Sequence, residues 1–405
     1  MKVKKGKGEG FSRVEFTNKT WLVSVFLILS IPGVSGLFED SKEREQWERR
    51  ELAGFPIISD LYLRPVKYFG ALDLYLNDHF GLARFLNKLN RKGLFYAFNT
   101  TPSKNISIGR DGFIYLNSHS KKDKNMVFKY YCNERQYDEA YFVNTASSIK
   151  VVEENFTRRG YRFFFGLAPS KPVIYPYNLP ESVPKKLKDA CSNASQSDFG
   201  TVKMIVGLQE TGSKIYYPYS LFQGRQHEKY FYPKENFHWK GKSAHLFAGG
   251  LLRSLGIQVT KNYHDGAFLK EDQSDLSNFL GFSLPVKVWS YPYNDFGVKH
   301  MPVLPGPTEK YYERVNDYSY YRTNSPLSDR KAIILSDSFG YNAVSHLAPG
   351  YTEVLHINIS NLQEPEKRSF YVDYIDNYKP DDVIFLFHDA GIRGIEDVSR
   401  VLSSS

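Results

Sequence analysis

Cysteine is almost missing from this chain: two, Cys132 and Cys191, in 405 residues. No Cys-x-x-Cys pair exists, which argues against a metal site built on thiolates. There is no zinc finger, no recognition-helix motif and no long Lys/Arg tract, so nucleic acid is a poor fit as a partner. The sequence has no internal repeat and no low-complexity block. Nor does any linker cut the chain beyond residue 39 in two. Charge of one sign does not dominate either. A net +9 fits an acidic polymer or a membrane surface and selects neither.

What is present is apolar and aromatic. Hydrophobic residues make up 41 % and aromatic residues 16 %, with 30 Tyr and 30 Phe. That is enough for a sizeable core in one large domain or two ordinary ones. Aromatic faces suit sugar rings and suit a Tyr-rich core equally. Residues 1–19 are polar and basic, and 21–38 carry no charge. The uncharged run is about the length that crosses a bilayer, at the short end of the range. Positive residues before it would hold the N-terminus in the cytoplasm. We read 20–38 as an uncleaved membrane anchor. A signal peptide ending in the small residues Val34-Ser35-Gly36 is the rival. Either way residues 39–405 are exported, single-pass from the inner membrane on the first reading. Two thiols in an oxidising compartment are able to pair, but sequence does not place Cys132 beside Cys191.

Residues 39–68, rich in charge up to Glu51, read as a stalk. Residues 69–95 carry an apolar stripe at helical spacing. Arg110-Asp111-Gly112 between short apolar runs is a hairpin signal. Strands are predicted over 161–168, 202–208, 332–335, 352–359 and 382–388. Helices are predicted over 181–191 and 241–255. Apolar strands separated by helices argue for an α/β domain with a mainly parallel sheet, over 69–405.

The chain's most informative stretch is Ile333-Ile334-Leu335-Ser336-Asp337-Ser338-Phe339. An apolar run stops at Ser336-Asp337-Ser338, and Phe339-Gly340-Tyr341 opens a helix. A strand that delivers a serine into a strand-to-helix turn exposes a nucleophile, and backbone N–H groups at the helix start can face an oxyanion. The same pattern also serves as an ordinary N-cap. An alcohol needs a base, and His238 in Glu235-Asn236-Phe237-His238-Trp239 is the candidate. Asp337 reads as structural. His356 and His388, in or at the end of apolar strands, read as core histidines, and Lys171 reads as a turn residue.

Several stretches, in order, resemble the SGNH-hydrolase-like O-acetyltransferases of exopolysaccharide export, the alginate acetylation family. They run from Glu48-Arg49-Arg50-Glu51-Leu52-Ala53-Gly54-Phe55-Pro56 through Asn77-Asp78-His79-Phe80-Gly81-Leu82-Ala83-Arg84. The hairpin Gly109-Arg110-Asp111-Gly112-Phe113-Ile114-Tyr115 follows, then Pro169-Ser170-Lys171 with Ile174-Tyr175-Pro176 and Leu179-Pro180. The resemblance implies a three-layer α/β fold with a mainly parallel sheet, circularly permuted. It implies Ser338 as nucleophile and His238 as base, from the family's Gly-Asp-Ser and Asp-x-His-Trp elements. Tyr341, Asn342 and Arg393 are candidates to bind substrate.

The chain departs from that pattern twice. The aspartate expected two residues before the histidine is Asn236, which is able to orient the imidazole but cannot supply charge. Glu235 or another acid is the alternative. The glycine of Gly-Asp-Ser is Ser336, which threatens to crowd the turn. The function implied is transfer of acetyl to hydroxyls of a cell-surface or secreted polysaccharide through an acetyl-serine. The resemblance calls for no metal or nucleotide cofactor. It calls for a membrane-bound O-acyltransferase partner to supply acetyl. An acetylesterase of the same fold and a non-catalytic polysaccharide-binding scaffold are the alternatives.

Overall fold

The structure, a computed structural model, describes residues 20–27, 30, 51–79, 83–117, 123, 125–132, 139–196, 199–305, 317–359, 374–392 and 394–403. The chain divides into two compact units, 1–98 and 99–405.

In the first unit, helices span Ser59–Leu63, Pro65–Asp78 and Ala83–Phe98. Pro65 sits in the first turn, where its missing N–H costs nothing. The apolar stripe of 69–95 is carried by two helices. His79 closes the first: its backbone N–H goes to Tyr75 O at 2.9 Å, and its ring Nδ1 also lies 2.9 Å from that oxygen. Residues 20–27 are helical; of the expected anchor and stalk, residues 28–29 and 31–50 lie outside the described residues. Among the described residues no helix is long and apolar enough to cross a membrane.

The second unit contains eleven described strands. They are β1 Ile106–Ile108, β2 Ile114–Leu116, β3 Arg162–Ala168, β4 Ile215–Tyr216, β5 Phe268–Gln273, β6 Pro285–Ser290, β7 Val298–Met301, β8 Tyr318–Thr323, β9 Lys331–Ser336, β10 Glu353–Asn358 and β11 Asp382–His388. The main sheet has the order β4-β3-β11-β9-β10-β8-β7. From β4 to β10 the neighbours are parallel; β8 and β7 extend the sheet antiparallel. β1 and β2 form one hairpin and β5 pairs with β6 in another.

Five helices flank the main sheet: α1 Glu139–Arg158, α2 Gly200–Glu210, α3 Lys242–Ser254, α4 Gly340–Leu347 and α5 Gly394–Ser403. Successive side chains of a strand point to opposite faces. Ala332 and Ile334 of β9 join the core with Phe247 and Leu251 of α3 and Val344 of α4. Ile333 and Leu335 join Val152 and Phe156 of α1, Leu208 of α2 and Val398 of α5. Both faces are covered, which is why these strands read as unbroken apolar runs.

One predicted strand is wrong: 202–208 lies within helix α2. Its β-branched content suggested a strand, yet Met204 and Leu208 fall one helical turn apart and are buried. Gly200 opens the helix against Phe142, and a Cβ there would lie 2.0 Å from that ring. The predicted strand at 332–335, the hairpin at 110–112 and the helix at 241–255 are all present.

Cys132 and Cys191 are bonded, joining the end of helix Met126–Tyr131 to helix Lys185–Ser192. The crosslink spans 59 residues. By loop-closure entropy such a link stabilises by about 4 kcal/mol, with native strain subtracting from that. A Cys132→Ala/Cys191→Ala protein is therefore expected to unfold at clearly lower denaturant concentration in a urea titration, with a larger m-value because its denatured chain is less compact.

Candidate active site

Ser338 lies in the turn between the end of β9 and the start of α4, and it is half-buried. Its Oγ is 2.8 Å from His238 Nε2, a contact made across 100 residues. Trp239 ties the same two segments together, donating Nε1–H to Phe339 O at 2.8 Å.

The far side of the imidazole meets Asp275, in the loop after β5. Asp275 Oδ2 is 2.7 Å from His238 Nδ1 and 2.9 Å from the His238 backbone N–H; Oδ1 takes the Phe237 N–H at 2.8 Å. A carboxylate only accepts, so Nδ1 carries the proton and Nε2 turns its lone pair to the serine hydroxyl. Burial pushes the Asp275 carboxyl up. The His238 hydrogen bond, its charge and the two backbone N–H groups more than reverse this and hold it below the usual range. It is therefore ionised and able to stabilise an imidazolium.

This corrects the role expected of Asn236. Its side chain is fully buried, and neither amide atom has a hydrogen-bond partner. The orienting group comes from 37 residues after the histidine instead of two before it. Glu235 does not take the place either; its backbone carbonyl accepts from Ser274 Oγ at 2.6 Å. No local signal marked Asp275, which sits in a Ser-Asp turn like many others.

The loop carrying His238 is held at successive carbonyls. Pro233 O accepts Asn236 N–H at 3.2 Å and Lys234 O accepts Ile114 N–H at 2.8 Å. Phe237 O accepts Tyr232 Oη–H at 3.2 Å. Lys171, read as a turn residue, opens the short helix Lys171–Ile174 and is buried. It is 2 % exposed, and its ammonium donates to Ile114 O, Lys234 O and Asn236 O.

Asp337 is buried and structural. Its Oδ1 takes the Phe339 N–H at 2.9 Å; its Oδ2 takes the His388 N–H at 2.9 Å and His388 Nδ1–H at 2.6 Å. Gly340 N–H goes to Asp337 O at 3.1 Å. Two N–H groups expected to face an oxyanion are thus engaged, and the Ser338 N–H is the one at this turn with no intramolecular partner among the described residues. His388 is more than a core histidine. Burial disfavours its charge, but Asp337 and then Asp389 raise its pKa above the ordinary imidazole value. Its ring stacks on Phe339 at 4.6 Å.

Ser336 does not crowd the nucleophile. Its hydroxyl points inward, donating to Asp337 O at 2.6 Å and meeting His356 Nε2 at 2.6 Å. Gly340 makes the room: a Cβ there would stand 2.0 Å from Ser336 Oγ. His356 is a buried neutral imidazole, pushed down to about 3 chiefly by burial. Tyr341 meets His356 edge-to-face, ring centres 4.8 Å apart, and buries its hydroxyl, so that hydroxyl is not offered to a substrate. Asn342 is half-buried in the first turn of α4. Arg393 lies outside the described residues. Among the described residues no group of three or more His, Cys, Asp or Glu is placed to hold a metal ion. A groove of about 590 Å³ exists between α1 and α2, but none of its lining residues belongs to the segments carrying Ser338, His238 or Asp275.

No family model and no curated protein matches the chain. Solved structures do. PatB1 of Bacillus cereus is 16 % identical, with a TM-score of 0.47 over 71 % of this chain and 97 % of that one. The O-acetyltransferase domain of Pseudomonas putida AlgJ is 11 % identical, with a TM-score of 0.43 over 71 % and 92 %. A DHHW family protein from Eubacterium siraeum is 12 % identical, with a TM-score of 0.43 over 65 % and 89 %. The chain is thus similar to an O-acetyltransferase domain among others.

Two outcomes follow. Asn236→Asp would bury a carboxylate without a donor, so it is expected to lower the melting temperature and give no gain in kcat. For His388 the folded pKa is raised, so its stabilisation is complete below the unfolded value near 6.5 and is lost as pH rises through the folded value. Melting temperature against pH is expected to fall on that alkaline side in the wild type and to lose this decline in His388→Gln.

Proposed function

We propose that this chain is an O-acetyltransferase acting on hydroxyls of a polysaccharide. The observation that carries the reading is the relay Ser338 Oγ, His238, Asp275, with contacts of 2.8 and 2.7 Å. The sequence resemblance supplies the substrate class.

In the first half-reaction His238 Nε2 takes the Ser338 hydroxyl proton as Oγ attacks the acetyl carbonyl carbon. Negative charge collects on the carbonyl oxygen, where the Ser338 N–H is available to donate. The intermediate collapses to acetyl-Ser338, and the donor's leaving oxygen takes the proton from His238. In the second half a sugar hydroxyl gives its proton to His238 and attacks the acetyl carbon. Collapse returns the proton to Ser338 Oγ and leaves the sugar ester. Asp275 keeps its negative charge beside the imidazolium in both halves and is not itself protonated. The His238 side chain is 21 % exposed, so an acceptor can approach the relay.

In this proposal the acetyl donor comes from a membrane-bound O-acyltransferase, and the domain works outside the inner membrane, held there by residues 20–38. Water competes with the sugar as acceptor, so an acetylesterase is the second reading. Purified protein incubated with an activated acetyl ester and oligosaccharides separates the two: acetylated sugar against free acetate alone, read by mass spectrometry. Ser338→Ala is expected to lower kcat by about six orders of magnitude and Asp275→Asn by about four, as in other serine triads. A Ser338→Ala protein that retains its rate would remove the nucleophile from the reading.

A further inference from the structure

Asn236 and Phe237 share a peptide bond gripped at both ends by charge. Its carbonyl oxygen accepts from the Lys171 ammonium, and its N–H donates to Asp275 Oδ1 at 2.8 Å. Asp275 holds the next N–H and the imidazole of His238 as well. The cation and the carboxylate therefore act on one peptide dipole from opposite ends. Lys171 enters from the start of helix Lys171–Ile174, just after β3, and has no carboxylate within bonding distance.

An ammonium has three N–H groups, and this one meets three backbone carbonyls: Ile114 of β2, Lys234 and Asn236. Its Nζ also stands 4.9 Å from the centre of the Tyr115 ring. Two of the three carbonyls lie in the five residues leading to His238. Loss of one donor would leave a buried carbonyl facing a lone pair.

We propose that Lys171 is a positioning residue for the His238–Asp275 pair, acting through the Asn236–Phe237 peptide and only in its charged form. The inference rests on the acyl-transfer reading of Ser338. Burial pushes the ammonium down to about 7, against the pull of Asp275 and Glu235. The ionisable groups facing it are Tyr115, Glu235 and Asp275; burial holds the Tyr115 phenol well above its usual range, so it stays neutral here. Below that value the cage of three donors is complete. Above it the neutral amine keeps two N–H groups for three carbonyls, and the loop carrying His238 loosens.

Two readouts on the full chain test this. One is kcat and KM for hydrolysis of a small acetyl ester across pH 6–9 (a range of about three units around the neutral region). The other is the downfield proton signal of the His238 Nδ1–H···Asp275 bond, which needs no turnover. The wild type is expected to lose both kcat and that signal as pH rises past neutrality while its circular dichroism is unchanged. Lys171→Met is expected to lower kcat about a hundredfold, the scale of a small misplacement in an active site. KM should move little and the alkaline limb should vanish. Lys185→Met, which removes an exposed lysine, should behave as wild type. If Lys171→Met does not fold, the wild-type profiles decide. A wild-type signal and rate that stay flat through the alkaline range would overturn the proposal. So would a folded Lys171→Met with wild-type kcat and an intact signal. Failure of the nucleophile reading would show separately, as ester hydrolysis that survives Ser338→Ala.

Discussion

The site depends on one carboxylate that accepts three N–H groups from two consecutive residues. Asp275 binds the backbone of Phe237, the backbone of His238 and the His238 ring. A neutral acceptor could match the number of bonds but not the charge. Charge-assisted bonds of this kind are roughly twice as strong as neutral ones, and here they fix both tautomer and ring direction. The hydroxyl across the ring is placed by a different element, the turn after β9. The two halves meet because Trp239 reaches the backbone beside Ser338. A relay assembled from segments this far apart in sequence requires a rigid three-layer support, which the doubly covered sheet supplies.

How much of this could be read in advance follows from where each signal resides. β3, β9, β10 and β11 were legible because both their faces are buried, so apolar residues run on without alternation. Ser338 was legible for the same reason, since the run ends abruptly where the strand leaves the core. Strands β4 to β8 were not. β4 has two residues, and β5 is mostly exposed, so neither carries a pattern to recognise. Val202, Ile205 and Val206 of helix α2 favour a strand by composition, although its buried positions follow helical spacing. Asp275 left no trace, and Lys171 stood out only as part of the Pro-Ser-Lys stretch. One is an acid in a polar turn, the other a lysine after Pro-Ser, and only tertiary contacts reveal what each does.

The two departures from the pattern that the sequence resembles resolve in the same way. A glycine replaced by serine at 336 would be expected to push into the nucleophile's space. The side chain turns inward because Gly340, one helical turn on, carries no Cβ, and His356 fills its hydrogen-bonding need. An aspartate replaced by asparagine at 236 would be expected to leave the imidazole without charge. The charge is present, brought in after hairpin strand β5, and the backbone of 236 is still used while its side chain is not. Both ring nitrogens of His238 are already engaged, by Asp275 and by Ser338, so a carboxylate at 236 would be buried with no hydrogen-bond donor. A substitution at a motif position takes its meaning from the groups that serve in its place, and here the charge comes from outside the motif.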